Sequence, residues 1–452
     1  MSTIAAIATP DAVGGISVIR ISGDKATDVA DRIFKGNKKP SDMDGYTCSY
    51  GYINDENSCH VDDVVLTVFK APRSYTGEDV VEISCHGGRF ITKKILRIVL
   101  KNGAEAAMAG EFTKRAFLNG KLSLTQAEAV MDVISSSGES QLRYANALKE
   151  GSVFRRISCI KNSLVEILGN LAAWADFPEE DVPKVDPVVL EGQIDRVVND
   201  ITKTIETYDY GRIIREGIKT VICGKPNVGK STLMNCLSGY QRSIVTDIAG
   251  TTRDVIEENV RLGDLTLCLS DTAGIRSTDD VIESMGVDIA YKKIDEADLI
   301  LAVFDCTSEL DEKEKDLINK IYNKNTVIII NKIDETSRID KKYLTDKFKH
   351  IIEISAKNEE GTEKLVSVLE AMFISNKSDA DEGIIANERQ KMCLEKAYNN
   401  IIEAKDALNN GAMLDAVTVC LDMAAENLME LTGEKASETV VNDVFSRFCV
   451  GK

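Results

Sequence analysis

The chain has little with which to build a histidine metal site: three His, His60, His86 and His350, in 452 residues. Its 11 cysteines are odd in number, scattered, and include no C-x-x-C pair. That speaks against a disulfide framework or a zinc site and fits a reducing compartment. Cys223 and Cys268 sit inside apolar runs, where a free Cys behaves as a small hydrophobe. Positive charge is short as well. Lys and Arg number 55 against 73 Asp and Glu, a net charge of −18. Broad, passive attraction to nucleic acid is thereby excluded, so any RNA contact has to be local or delivered by a partner. No run approaches the roughly 18 consecutive apolar residues of a membrane-spanning helix. The N-terminal MSTIAAIATPD lacks the basic n-region of a signal peptide and the arginines of a transit peptide. The expectation is a cytoplasmic protein.

What is present is ordinary globular composition, 43% apolar and 28% charged, over a length that suggests about three domains. Residues 1–119 mix β-rich runs (Ile16–Ile21, Val64–Phe69, Val80–Ile83) with Gly-rich turns and a predicted helix Phe90–Lys101, the pattern of an α+β domain. Residues 120–216 turn helical. Ile157, Ile160, Leu164, Ile167, Leu168 and Leu171 form one apolar stripe, and Leu414, Val417, Leu421, Ala424 and Leu428 form another within residues 377–452. The economical reading is one helical bundle made by both segments and interrupted by an inserted domain. That insert, residues 217–376, alternates helices with the runs Thr220–Cys223, Leu265–Ser270, Leu299–Phe304, Thr326–Ile330 and Ile351–Ser355. Near-continuous apolar runs of this kind read as a doubly wound α/β sheet covered on both faces. Such a sheet binds ligands at the carboxyl ends of its strands, where every chemical motif of the chain falls.

Gly224-Lys225-Pro226-Asn227-Val228-Gly229-Lys230-Ser231-Thr232 matches G-x-x-x-x-G-K-[ST] between a strand and a helix. Glycines let backbone N–H groups approach phosphates, and the helix start adds the positive end of its dipole. Lys230 is positioned to reach the β- and γ-phosphates, and the Ser231 hydroxyl to ligate Mg²⁺. Asp271-Thr272-Ala273-Gly274 follows the next strand, with an Asp for the magnesium shell and a Gly for the γ-phosphate. Asn331-Lys332-Ile333-Asp334 follows another. The Asp334 carboxylate can accept from both N1–H and the exocyclic amine of guanine. Adenine would leave that acceptor unpaired, at a cost of about 1–3 kcal/mol. Asn331 either contacts the base edge or ties loops together, and Ser355-Ala356-Lys357 can close over the base. Together these specify GTP. Ile275 stands where Ras-like GTPases carry the Gln that orients the attacking water, so Arg276, Asp279, Asp280 and Glu283 become candidates for the missing chemistry. The stretch Thr246-Asp247-Ile248-Ala249-Gly250-Thr251-Thr252-Arg253-Asp254 offers a Thr for Mg²⁺. Its carbonyls, with Asn227, offer oxygens for a monovalent cation that would stabilise transition-state charge.

The chain resembles the MnmE (TrmE) family of tRNA-modification GTPases along its whole length. The match rests on Thr3–Pro10, Arg20-Ile21-Ser22-Gly23, Tyr75-Thr76-Gly77-Glu78-Asp79, His86-Gly87-Gly88 and Ala109-Gly110-Glu111-Phe112-Thr113. Ala116–Lys121, Gln126–Ala129, Asp176-Phe177-Pro178-Glu179-Glu180-Asp181 and the ending Phe448-Cys449-Val450-Gly451-Lys452 continue it. Val450 replaces the Ile of the usual C-I-G-K ending, and Ala386-Asn387-Glu388-Arg389-Gln390 is a looser form of a Thr-Asn-x-Arg-His stretch. The resemblance implies an N-terminal domain that dimerises and binds a tetrahydrofolate derivative (5-formyl- or 5,10-methylene-), with Arg20, Glu78, Lys121 and Lys452 at the folate. It implies a Ras-like G domain inserted in the helical domain and dimerising with K⁺. Asn227, Thr246, Ile248 and Thr251 match the potassium ligands, Ser231 and Thr252 the magnesium ligands, and Glu283 the water-orienting glutamate. It also implies a homodimer that joins the FAD-dependent partner MnmG (GidA) in a heterotetramer or larger complex. That complex would modify C5 of the wobble uridine of certain tRNAs with an aminomethyl-type or carboxymethylaminomethyl group. The alternative reading is an Era- or Der-like ribosome-assembly switch, which would bring a basic RNA-binding domain or tandem G domains. Cys85-His86 reads as structural because strand neighbours point to opposite faces. Cys449, a potential redox or nucleophilic group, reads as part of a loose terminus.

Overall fold

A computed structural model describes residues 1–176, 186–239, 257–270, 292–373 and 383–452. The chain divides into two compact units. One comprises Met1–Met131, Leu148–Ile201 and Met392–Lys452; the other comprises Asp132–Ala147 and Thr202–Lys391.

The first unit holds a seven-stranded sheet of β1 (Ile4–Ile7), β2 (Ile16–Ser22), β3 (Phe34–Gly36), β4 (Thr47–Asn54), β5 (His60–Phe69), β6 (Val80–His86) and β7 (Glu105–Ala106), in the order β3-β4-β5-β6-β2-β1-β7. Alternation along the strands sends Ile19, Ile21, Leu66, Val68, Val81 and Ile83 into one core. The helices Ala26–Ile33 and Arg89–Lys101 cover that core. The short strands β1, β3 and β7, and the Tyr- and Gly-containing β4, lie outside the three runs that hydropathy picks out. The antiparallel register sets Arg20 of β2 between Ala6 and Glu82, a choice of neighbours that only the fold makes.

In the same unit the helices Ser152–Asp176 and Leu414–Thr432 lie along one another. Ile157, Ile160, Leu164, Ile167 and Leu171 are buried on the first, and Val417, Leu421, Ala424 and Leu428 on the second. The two apolar stripes thus cover each other, each large aliphatic side chain contributing roughly 1.5–3 kcal/mol as an upper bound.

The last residues are docked, not loose. Val450 bridges Ala109, the Gly110 amide donates to the Cys449 carbonyl (3.4 Å), and the Phe112 amide donates to the Lys452 carbonyl (3.1 Å). Gly451 makes this approach at φ 97°, where a Cβ would run into the Ile7 carbonyl. The backbone around Cys449 is therefore ordered, against the sequence expectation, because the tail's polar groups find partners in the N-terminal domain. The Cys449 thiol remains exposed.

The second unit is built on β8 (Ile218–Cys223), β9 (Glu257–Leu262), β10 (Leu265–Ser270), β11 (Leu299–Asp305), β12 (Thr326–Asn331) and β13 (Ile351–Glu353), ordered β13-β12-β11-β8-β10-β9. All pairings are parallel except β9 with β10. Cores lie on both faces of the sheet, as the apolar runs require. The five parallel strands match the five runs read from the sequence to within two residues. The edge strand β9 does not appear among them, although Gly263-Asp264 between two candidate strands is a hairpin signal, with Gly263 at φ 60°.

The sequence draws the inserted block at 217 and 376, whereas packing carries the unit further on both sides. Arg212, on the helix Tyr208–Glu216, grips Asp298 through two nitrogens (3.1 and 2.6 Å), and Asp298 also accepts from the Lys219 amide (3.0 Å). Arg215 reaches Asp132 at 2.8 Å. Gly211 lies so close to the Ile385 carbonyl that a Cβ would collide with it.

Candidate functional site

The phosphate-binding loop leaves β8 and enters the helix Lys230–Gly239, as the spacing predicts. Gly224 (φ 141°) and Gly229 (φ 99°) both adopt backbone that favours glycine, and a Cβ at either would collide, with the Val303 carbonyl and the Asn331 amide respectively. Asn227 lies at φ 65°, a left-handed conformation that Asn tolerates. Lys230 folds its amine over the loop, donating to the carbonyls of Gly224 (2.8 Å) and Lys225 (2.6 Å). Burial holds that amine below the usual lysine value. Val228 is buried, while Ser231 and Thr232 are exposed in the first turn of the helix. Lys225 anchors the loop from outside through Asp311 (2.5 Å) and the buried Glu314 (2.9 Å). Those two carboxylates also form the capping box of the helix Glu312–Ile321.

Asn331 ties loops together, one of the two roles open to it. The side chain is 3% exposed; its amide donates to the Val228 carbonyl (2.8 Å) and its oxygen accepts from the Ala356 amide (3.0 Å). One residue at the end of β12 therefore joins the phosphate loop to the Ser355-Ala356-Lys357 loop. Asp334 is aimed by the fully buried Ser355, whose hydroxyl donates to Oδ1 at 2.7 Å. That hydrogen bond holds the Asp334 carboxyl below the usual carboxylate range. A carboxylate has about four lone-pair positions, so acceptor capacity remains for a purine's two donors. Lys332, at φ 66°, sends its amine to Asp305 (2.5 Å), a partner that the motif did not announce. Thr246, Asp247, Ile248, Ala249, Gly250, Thr251, Thr252, Asp271, Thr272, Ala273, Gly274 and Glu283 lie outside the described residues, as does most of Asp176–Asp181.

A second cluster lies in the first unit. The Arg20 guanidinium pairs with Glu82 at 2.8 Å, donates to the Gly451 carbonyl (3.4 Å), and stands 5.6 Å from the ring centres of both Tyr75 and Phe112. Lys452 is half-buried, and burial, reinforced by the positive charge of Arg20, holds its amine below the usual lysine value. Glu78 is committed to protein contacts, accepting from Ser22 Oγ (2.7 Å) and from the buried Arg115 (3.1 Å). Lys121 is exposed and donates to the Pro72 carbonyl (3.0 Å). The fold thus joins Arg20 to the chain's last residues, with Glu78 behind in an ion pair. Glu82 and Arg115 escape sequence reasoning, because the β2–β6 register brings Glu82 to Arg20 and packing brings Arg115 to Glu78; Tyr75 and Phe112 stand in the sequence only as parts of family motifs.

Cys85 and His86 part company as expected. The Cys85 thiol is buried and pushed up by that burial, while the exposed His86 binds Asp62 through Nδ1 at 2.6 Å.

The family model for the GTP-binding protein TrmE N-terminus matches residues 3–121, and that for the MnmE helical domain matches residues 124–449. The tRNA modification GTPase MnmE of Thermoanaerobacter pseudethanolicus is 42% identical over 456 residues, covering 100% of this chain and 99% of that protein. Its counterpart from Acetivibrio thermocellus is 40% identical over 457 residues at the same coverage. A solved structure of Aquifex aeolicus Era bound to GDP and AlF4⁻ covers 41% of this chain and 67% of its own, at 27% identity and a TM-score of 0.27. With two family models and full-length relatives in agreement, the chain belongs to the MnmE (TrmE) family of tRNA modification GTPases.

Proposed function

We propose that the chain is a potassium-stimulated GTPase that, with the FAD-dependent partner MnmG (GidA), modifies C5 of the wobble uridine of certain tRNAs using a tetrahydrofolate one-carbon donor. The observation that carries the GTPase reading is the buried Asn331, which locks the phosphate loop to the base-side loop while Ser355 aims Asp334. Asn227 to Thr232 cradle the phosphates, Lys230 meets the β- and γ-oxygens, and Asp334 reads guanine between Lys332 and the Ser355–Lys357 loop. The exposed Ser231 hydroxyl in the first helical turn fits a magnesium ligand, with Thr252 as the second. When bound, Mg²⁺ neutralises charge that develops on the phosphates. Asn227, Thr246, Ile248 and Thr251 would hold K⁺, and Glu283 would orient water in place of the Gln that Ile275 excludes. In the first unit, Arg20 lies against the partly exposed Tyr75 ring, and Lys452 adds a second positive charge near Arg20, which suits a flat heterocycle carrying carboxylates. Lys121 extends that charge. Glu78 acts there by holding Arg115 and Ser22, and Cys449 offers an exposed thiol at the same end of the domain. A homodimer through the N-terminal domain completes the reading.

The test is the nucleoside composition of tRNA from a strain deleted for this gene. Loss of the C5-modified wobble uridines, restored by the intact gene, is the expected result; unchanged nucleosides would overturn the tRNA assignment.

A further inference from the structure

The net charge of −18 is not shared evenly along the chain. Residues 1–121 contain 16 Lys and Arg against 15 Asp and Glu, so the acidic excess lies in the remainder. Within that neutral domain, the helix Arg89–Lys101 carries five basic residues and no acidic one. At about 100° per residue, Arg89, Phe90, Lys93, Lys94, Arg97 and Lys101 fall within an arc of about 140°. Thr92, Ile95, Ile98 and Val99 occupy the opposite side and are buried against the sheet. The apolar face is thus already used, which leaves the helix no hydrophobic side to insert into a lipid surface. The outer face is cationic and carries one large ring: Phe90 is 79% exposed.

We propose that this outward face of Arg89–Lys101 is a tRNA-contact surface, its cations meeting backbone phosphates and Phe90 stacking on an unpaired base. The inference rests on the tRNA reading above. Lys93 and Arg89 share Asp11 (3.2 and 3.6 Å), Lys94 pairs with Asp55 (3.2 Å), and Lys101 pairs with Glu56 (2.6 Å). Arg97 makes no ion pair among the described residues. These pairs are solvated and individually weak, so phosphates can displace the carboxylates. Each phosphate met by Lys or Arg also releases condensed counterions, which favours binding at low salt. RNA differs from duplex DNA in offering unstacked bases in its loops, which an exposed aromatic ring can hold. A small patch of this kind suits a protein that must not coat RNA indiscriminately.

The experiment uses the full chain and an unmodified tRNA transcript, with binding measured by fluorescence anisotropy across a salt series. The combined variant R89E/K93E/R97E is expected to bind at least tenfold more weakly. Its salt dependence should flatten by roughly one unit for each phosphate that the variant no longer neutralises. F90A should weaken binding with the salt slope unchanged, and the neutral R89Q/K93Q/R97Q should fall between. GTP turnover and the unfolding midpoint are expected to stay at wild-type values, because every altered side chain is exposed. Wild-type affinity and slope in the charge-reversed chain would overturn the surface while leaving the tRNA reading intact. A changed oligomeric state would reassign the face to an interface between copies of the chain. Weakened binding to anionic phosphatidylserine vesicles with unaltered tRNA binding would reassign it to a membrane. Failure of the wild-type chain to bind the transcript at low salt would also overturn it.

Discussion

Asn331 commits both ends of its amide to backbone, and that alters what its motif means. One N–H and one lone pair of the amide remain beyond these two bonds, so Asn331 can tie the loops and still touch a base edge, while the two-donor edge of guanine is left to the Asp334 carboxylate. Asp334→Asn swaps an acceptor oxygen for a donor. It should lower the preference for GTP over xanthosine triphosphate by roughly tenfold or more in competition binding. Equal preference in mutant and wild type would remove Asp334 from recognition. The pH dependence has a definite sign. In its proposed role Asp334 accepts from guanine as the carboxylate, and the Ser355 hydrogen bond depresses its pKa. Guanine affinity should therefore persist through the ordinary carboxylate range and fall only as pH drops through the depressed value. Ser355→Ala should move that loss to higher pH.

At the scale of elements, the C-terminal tail and the P-loop obey one rule: a glycine where another backbone comes too close for a side chain. Gly451→Ala would place a methyl against the Ile7 carbonyl in a left-handed conformation that L side chains rarely adopt. The expected result is release of residues 449–452 from the segment Ala109–Phe112, seen as fast amide exchange at Phe112, whose N–H donates to the Lys452 carbonyl. Affinity for a tetrahydrofolate should fall several-fold in the same variant, since Arg20 loses the Gly451 carbonyl and Lys452 its place. Retained exchange protection would mean that the tail tolerates the methyl. The parallel strands β8, β11 and β12 were legible because burial on both faces writes an unbroken apolar run. By contrast β3 and β7 are two or three residues long, and β4 turns Tyr50 and Tyr52 to its exposed face and Gly51 to its buried one. A strand of that kind is stabilised by neighbours the local sequence does not name.

For the whole molecule, the proposed turnover draws on residues from several parts of the G unit at once. Replacing K⁺ by Na⁺ should depress GTP turnover at least tenfold in a steady-state phosphate-release assay, with nucleotide affinity changed far less. Glu283→Ala should slow turnover by a factor of about 10² or more in K⁺, the scale of a lost water-orienting group. Ion indifference would reject the potassium pocket, and wild-type turnover in the variant would reject Glu283.

The sequence alone determined the ligand chemistry of the G unit. A phosphate loop is a local object, whose nine consecutive residues contain the glycines, the Lys and the hydroxyl it needs. Asp334, proposed to read guanine, follows its strand in the same local way. The sequence also determined the helical stripes, since a period of 3.6 is written in consecutive residues. Only the tertiary structure decided that Asn331 ties loops, that Lys332 pairs with Asp305, and that the last four residues dock beside Arg20. Each of these depends on two segments far apart in the chain meeting at hydrogen-bond distance, 431 residues apart for Arg20 and Gly451. Register and loop closure set such meetings, and neither is encoded in any one stretch of residues.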